Sequence, residues 1–247
     1  MMGESKNIWL SFDRILSFGF FCHDVAVRVL SRHVAFLKRS LLVGSYLVLF
    51  TFFLPTLALF QKDFGEIAGN LLIVILFLSP LSALLRMRLL LVLMGFRREL
   101  GILMGCFALV HGLGHFISPG LLWEMKKTFF VSGVFSWERG MVTGVMGLLL
   151  IFPLLVTSNN FALRFLGGKL WKRLHRLVYP AFFLIVWHRF FMGVPHQSWA
   201  PLFEAILLLG VYSLLKFLVW RPETLPWLQE AVRMIGIRYR QYQDARI

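Results

Sequence analysis

The sequence predicts an all-α membrane protein: a six-transmembrane-helix bundle with an N-terminal interfacial helix. Three observations predict it. First, 58% of the 247 residues are hydrophobic and 26 are phenylalanine, beyond the share found in soluble domains. Second, several apolar runs approach the roughly 20 residues that cross a bilayer core, and the alternating ten-residue segments of an outer-membrane barrel are absent. Third, 21 of the 26 lysines and arginines fall in the N-terminal segment, the second and fourth connections and the C-terminal end. That bias places both termini in the cytoplasm, because cytoplasmic loops retain basic residues.

The elements follow in order. Asp24, Arg28 and Arg32 are spaced by four among Phe20, Phe21, Val25, Val27 and Leu30, which predicts an amphipathic interfacial helix over 7–36. Asp13 and Arg14 interrupt the apolar run that a cleavable signal peptide needs. His23 and His33 in this segment are expected to be exposed or interfacial. Span one is expected over 41–60 with Pro55 inside it, then a short loop with Lys62, Asp63 and Glu66. Span two covers 71–85 and exits at Arg86 and Arg88; span three covers 99–118 and is closed by Pro119-Gly120. A loop with Trp123, Lys126, Lys127, Trp137 and Arg139 suits the membrane–water interface. Span four covers 140–157, and a basic loop with Gly167-Gly168 follows. Span five runs over 175–193 with Pro180 inside it. A turn with Pro195, His196 and Trp199 leads to span six over 201–220. The organisation is therefore a segment 1–40, a transmembrane domain 41–220 and a basic amphipathic tail 221–247.

The net charge of +14 does not indicate nucleic acid, because the basic residues are spread between apolar spans. Cys22 and Cys106 are the only cysteines, too few for a disulfide framework or a thiolate metal site.

Ionisable side chains at bilayer depth are costly and mark function. His111 lies 13 residues beyond Arg98 in span three, and His188 lies 13 residues beyond His175 in span five. Both spans enter from the cytoplasm, so both imidazoles sit roughly 20 Å along their helices. Matched depth lets the pair ligate one metal from opposite faces, as the axial ligands of a haem do. Hydrogen-bonded glue between helices is the competing role. Gly112, Gly114, Gly101 and Gly105 on the same helix admit a flat macrocycle or another backbone. His115, one turn beyond His111, is either an alternative ligand, a partner for a propionate, or a polar residue near the far interface. His175, beside Lys172, Arg173 and Arg176, can serve a second, inner haem, mark the point of electron entry, or simply be interfacial. Arg97, Arg98, Lys172 and Arg173 can attract propionates or an anionic donor, although topology alone explains them.

The series Arg97-Arg98, Leu100-Gly101, His111, Thr157-Ser158, Trp171 to Tyr179 and His188 resembles the ferric-reductase-like transmembrane domain family. The resemblance covers roughly 41–220 and is most specific in Trp171, Leu174-His175 and Val178-Tyr179. It is strongest toward the membrane haem-binding subunits of methionine sulfoxide reductase systems. It implies a b-type cytochrome of the bacterial inner membrane, with His111 and His188 as haem ligands and His175 as a further haem-site residue. The implied partners are a periplasmic molybdenum-dependent methionine sulfoxide reductase as acceptor, and a cytoplasmic flavin reductase or membrane quinol as donor. The implied cofactors are haem b and, as a further option, FMN. The sequence departs from two-haem relatives in one respect. Counting back 13 or 14 residues from His111 reaches Arg98 or Arg97 rather than histidine, which favours one haem over two. The tail cannot form a flavin or nicotinamide domain, so a self-contained NADPH-dependent reductase is not expected. The alternatives are a stand-alone ferric or metal reductase, and a haem-free transporter or assembly factor using the same histidines.

Overall fold

The computed structural model describes residues 2–53, 57–117, 137–193, 200–224 and 226–244. Among them every regular element is helical: α1 (Met2–Arg32), α2 (Val34–Thr51), α3 (Leu57–Leu85), α4 (Arg88–Met94), α5 (Arg97–Ile117), α6 (Trp137–Val156), α7 (Asn160–His175), α8 (Val178–Gly193), α9 (Ala200–Trp220), a 3-10 turn (Pro222–Thr224) and α10 (Pro226–Asp244). By length and composition α2, residues 61–85 of α3, and α9 are able to cross a membrane. A fourth span is added if 140–156 and 160–192 count as one bent unit.

The expected loop at Lys62, Asp63 and Glu66 is instead the first part of α3. These charges are exposed, whereas Gln61, Ala68 and Leu72 are buried, so the segment is an amphipathic extension of the apolar helix. Span one correspondingly ends at Thr51 rather than residue 60, and Pro55 lies outside the described residues. The basic loop before span five is likewise a helix, α7. Asn159 caps it by accepting a hydrogen bond from the Ala162 N–H at 2.8 Å. Gly167, at φ 71°, breaks it in the left-handed region that only glycine enters cheaply.

His175 and His188 do not share a helix. His175 ends α7, and Pro180 sits in the first turn of α8, where its missing N–H has no intrahelical partner to lose.

The chain forms two compact units, one from residues 1–37, 78–95 and 215–247, the other from 38–77 and 96–214. In the first, α1, α4 and α10 come together. The Tyr239 hydroxyl donates to the Asp24 carboxylate, and the Phe20 ring lies 5.3 Å from that of Tyr239. The Leu89 N–H donates to His23 Nε2 at 3.3 Å. His23, expected to be exposed or interfacial, has a side chain only 10% exposed within this junction, so of the two it is not the exposed one. His33 is exposed.

The second unit is built on Ala68, Leu72, Ile75 and Leu76 of α3, with Met104 and Ala108 of α5, Ile151 of α6, and Ala181, Phe182 and Val186 of α8. Its helices pack through glycine. Gly105 and Gly112 of α5 receive Leu155 and Leu148 of α6, a seven-residue step in opposite directions that makes the pair antiparallel. Gly140, Gly144 and Gly147 of α6 receive Met192, His188 and Ile185 of α8 in the same antiparallel manner.

Candidate functional site

α5 and α8 carry His111 and His188 into one place. Their ring centroids are 6.3 Å apart with the planes at 69°. Each ring is held by the backbone of a further helix. His111 Nδ1 donates to the Gln61 carbonyl on α3 at 2.8 Å, and His188 Nδ1 donates to the Gly140 carbonyl on α6 at 2.7 Å. A neutral imidazole has one donor and one acceptor, so these bonds put the proton on Nδ1 and leave the lone pair on Nε2. Metal-ligating histidines are arranged in this way, with the other ring nitrogen donating to a carbonyl or carboxylate.

The spacing agrees with a shared metal. Two nitrogens each about 2 Å from it, and each roughly 1 Å from its own ring centroid, put the centroids about 6 Å apart. Among the described residues no three histidine, cysteine or acidic side chains converge as ligands. A bare ion at this pair would lack the ligands that a macrocycle brings with it, so the donor set fits a haem better than a zinc-type site.

Two glycines face the rings. A Cβ on Gly65 of α3 would lie 2.6 Å from His111 Cε1, and one on Gly144 of α6 would lie 2.7 Å from His188 Nδ1. Gln61 is buried and clasps α5 twice: besides its carbonyl, its side-chain Nε2 donates to the His111 carbonyl at 3.2 Å. Next along α8, Arg189 is fixed by Glu204 of α9 at 2.8 Å and Asn70 of α3 at 3.2 Å.

His175 belongs to a different cluster. Its ring stacks on Trp171 at 3.8 Å between centroids, and its Nε2 lies 3.2 Å from the Thr157 hydroxyl. Trp171 Nε1 donates to the Thr157 carbonyl at 2.9 Å, closing α7 onto the end of α6. The basic pair opening α5 is also engaged. Arg98 reaches Asn160 at 2.7 Å and the buried Glu99 at 3.2 Å, with Lys38 3.9 Å from the same carboxylate. The His115 backbone is in α5, but its side chain lies outside the described residues, as do the aromatic loop before α6 and the His196 turn.

Sequence reasoning brings out His111 and His188 but misses Gln61, Gly65, Gly140 and Gly144. The two acceptors are backbone atoms, which have no signature in a sequence. The only available signal was the run Gly140, Gly144, Gly147 at helical spacing.

Residues 64–186 match the family described as ferric reductase like transmembrane component; His111 and His175 lie within the match and His188 just beyond it. The chain is 35% identical over 126 residues to the protein-methionine-sulfoxide reductase heme-binding subunit MsrQ of Rhodospirillum rubrum, covering 48% of this chain and 53% of that protein. To the protein of the same name from Caulobacter vibrioides it is 30% identical over 163 residues, covering 62% of this chain and 71% of that one. It is 28% identical over 161 residues to the magnetosome protein MamZ of Magnetospirillum gryphiswaldense, covering 65% of this chain and 24% of MamZ. The chain thus spans about half the length of the first relative and about a quarter of MamZ. No solved structure matches it.

Proposed function

We propose that this chain, which belongs to the ferric-reductase-like transmembrane family in its MsrQ-like branch, is a b-type cytochrome subunit that carries electrons outward across the bacterial inner membrane. The observation that carries this reading is the His111–His188 pair, with ring centroids 6.3 Å apart and both Nδ1 protons given to backbone carbonyls. In this reading the two histidines would hold the iron of one haem b through their Nε2 atoms. The haem supplies a one-electron carrier when bound, and the chain supplies its place. α5 and α8 set its depth, and the Gln61 and Gly140 carbonyls orient the ligands.

Six spans, α2, α3, α5, α6, α8 and α9, form the transmembrane domain over 41–220, flanked by cytoplasmic segments 1–40 and 221–247. The junction of α1, α4 and α10 supports an even count. It gathers the N-terminal segment, the connection after α3 and the C-terminal helix, which an up-and-down bundle with an even number of spans leaves on one side. The basic residues put that side in the cytoplasm. His175, packed with Trp171 and Thr157 among Lys172 and Arg173, lies at the electron-entry end rather than in the ligand pair. The donor there is a reduced flavin or a quinol, and FMN is the cofactor to test for.

On the outer side the acceptor is a periplasmic molybdenum-dependent reductase of methionine sulfoxide in proteins. The family description favours one second reading, reduction of extracytoplasmic ferric iron by the same pair.

The test is spectroscopic. Protein purified from haem-replete cells is expected to give a dithionite-reduced b-type spectrum that His111→Ala and His188→Ala abolish. A wild-type protein with no such spectrum overturns the cytochrome reading, and full haem content in both variants overturns the ligands. Electron delivery from the reduced protein to a methionine sulfoxide reductase, rather than to chelated ferric iron, separates the two acceptors.

A further inference from the structure

The two histidine contacts share a construction. His111 meets the carbonyl of residue 61 while residue 65, four further along the same helix, is glycine; His188 meets the carbonyl of residue 140 while residue 144 is glycine. A helical side chain leans toward the N-terminus and covers the turn before its own Cα, so a side chain at position n+4 lies over the carbonyl at n. That carbonyl already accepts the N–H of residue n+4 and has a second lone pair to offer, which at Gly140 the His188 ring shares with the Thr143 hydroxyl, donating at 3.0 Å. Glycine at n+4 therefore opens the carbonyl to a donor from another helix. A Cβ at Gly65 would meet three ring atoms of His111 at 2.6–2.8 Å, and one at Gly144 would meet His188 Nδ1 and Cε1 at 2.7 and 2.9 Å. Nothing at the flexible end of a side chain is in the way: the ring itself would have to leave, and its bond to the carbonyl with it.

We infer that Gly65 and Gly144 are positioning residues that set the ligand strength of the two histidines, a role that rests on the haem reading above. A carbonyl accepting Nδ1–H makes the imidazole a stronger donor through Nε2 and favours the oxidised metal; loss of that bond moves the midpoint potential upward. Because the same device recurs on α3 and α6, each axial ligand is tuned from a separate helix.

Wild type, Gly65→Ala, Gly144→Ala and Gly69→Ala are compared by haem per protein, redox titration and low-temperature EPR. Gly69 is the control on α3, where a Cβ would meet the flexible Arg189 side chain, Nη1 at 3.1 Å and Cδ at 3.7 Å, and neither histidine ring. It is expected to keep wild-type haem content, midpoint and g-values. Gly65→Ala and Gly144→Ala are expected either to retain haem with a more positive midpoint and altered low-spin g-values, or to bind haem about 10- to 100-fold more weakly while keeping their helical content. Wild-type midpoint and g-values in both overturn the inference. If a variant does not purify as a folded protein, the result is read from haem-loaded His111→Gly supplied with imidazole or 1-methylimidazole. Imidazole can donate to the Gln61 carbonyl and should give the lower midpoint; equal midpoints overturn the inference. A wild type without haem removes the proposed function, and this inference with it, whereas a normal wild type with unperturbed variants removes the inference alone.

Discussion

Replacing Gln61 with leucine separates the contributions of its side chain and its backbone. The side-chain amide donates to the His111 carbonyl at 3.2 Å, a neutral bond at the long end of the normal range, and Gln61 is 7% exposed. Leucine has a similar volume and leaves no cavity. It also orphans no acceptor, because the His111 carbonyl still has the N–H one helical turn on. The loss is then a single net hydrogen bond, about 1 kcal/mol, or about a fivefold change in an equilibrium constant. The Gln61 carbonyl stays in place, so the His111 Nδ1 bond and the ligand strength it confers are untouched. Gln61→Leu is therefore expected to lower thermal stability by a few degrees and weaken haem retention by about fivefold. The midpoint potential should stay at the wild-type value. Haem loss under graded detergent or apomyoglobin challenge measures the first effect, and redox titration the second. A midpoint shift as large as that of Gly65→Ala would refute the reasoning, since it would make the side chain rather than the carbonyl the tuning group.

Three further outcomes are expected. Glu99 is buried, 2% exposed, but Arg98 and Lys38 are 45% and 34% exposed and stay hydrated without the carboxylate, so Glu99→Gln should change stability by less than about 1 kcal/mol in thermal unfolding; a loss above about 3 kcal/mol would mean that the two cations depend on the buried charge. Gly112→Leu forces a branched side chain where even a Cβ lies 2.5 Å from Leu148, so α5 and α6 should separate at a cost of about 1–3 kcal/mol with reduced haem content; wild-type stability would refute that packing. Tyr239→Phe should loosen α10 by about 1 kcal/mol and speed its cleavage by protease. The Tyr239 hydroxyl is pushed above its ordinary value, first by burial and then by Asp24, so its neutral form is the one the fold favours. The contact should therefore hold below about pH 10 and fail only as the pH rises through the raised value, a dependence that Tyr239→Phe removes.

What was legible in the sequence divides along physical lines. Long apolar runs report burial in lipid directly, so α5, α6 and α9 begin and end close to the expected spans 99–118, 140–157 and 201–220. Charges mislead where a helix continues past the apolar run: Lys62, Asp63 and Glu66 read as a loop, yet they line the exposed face of α3. A basic, glycine-containing stretch hid α7 for the same reason, and with it the break that separates His175 from His188. At the site, His111 and His188 do meet, but the offset of 13 residues from His175 that suggested it is not a helical rise, since His175 ends α7 and α8 begins only at Val178. The carbonyls of residues 61 and 140 could not be anticipated. Which helix lies beside which is decided by packing among distant segments, and a carbonyl is common to every residue.

The Asp24–Tyr239 contact spans 215 residues of chain. During synthesis α1 emerges first and α10 last, so α1 cannot acquire this partner until the intervening helices have been made and inserted. Until then the Asp24 carboxylate and the Phe20 ring lack the Tyr239 contacts. The junction therefore closes late: only a chain translated through residue 239 can form it, and a chain cut short before that point leaves α1 without this contact.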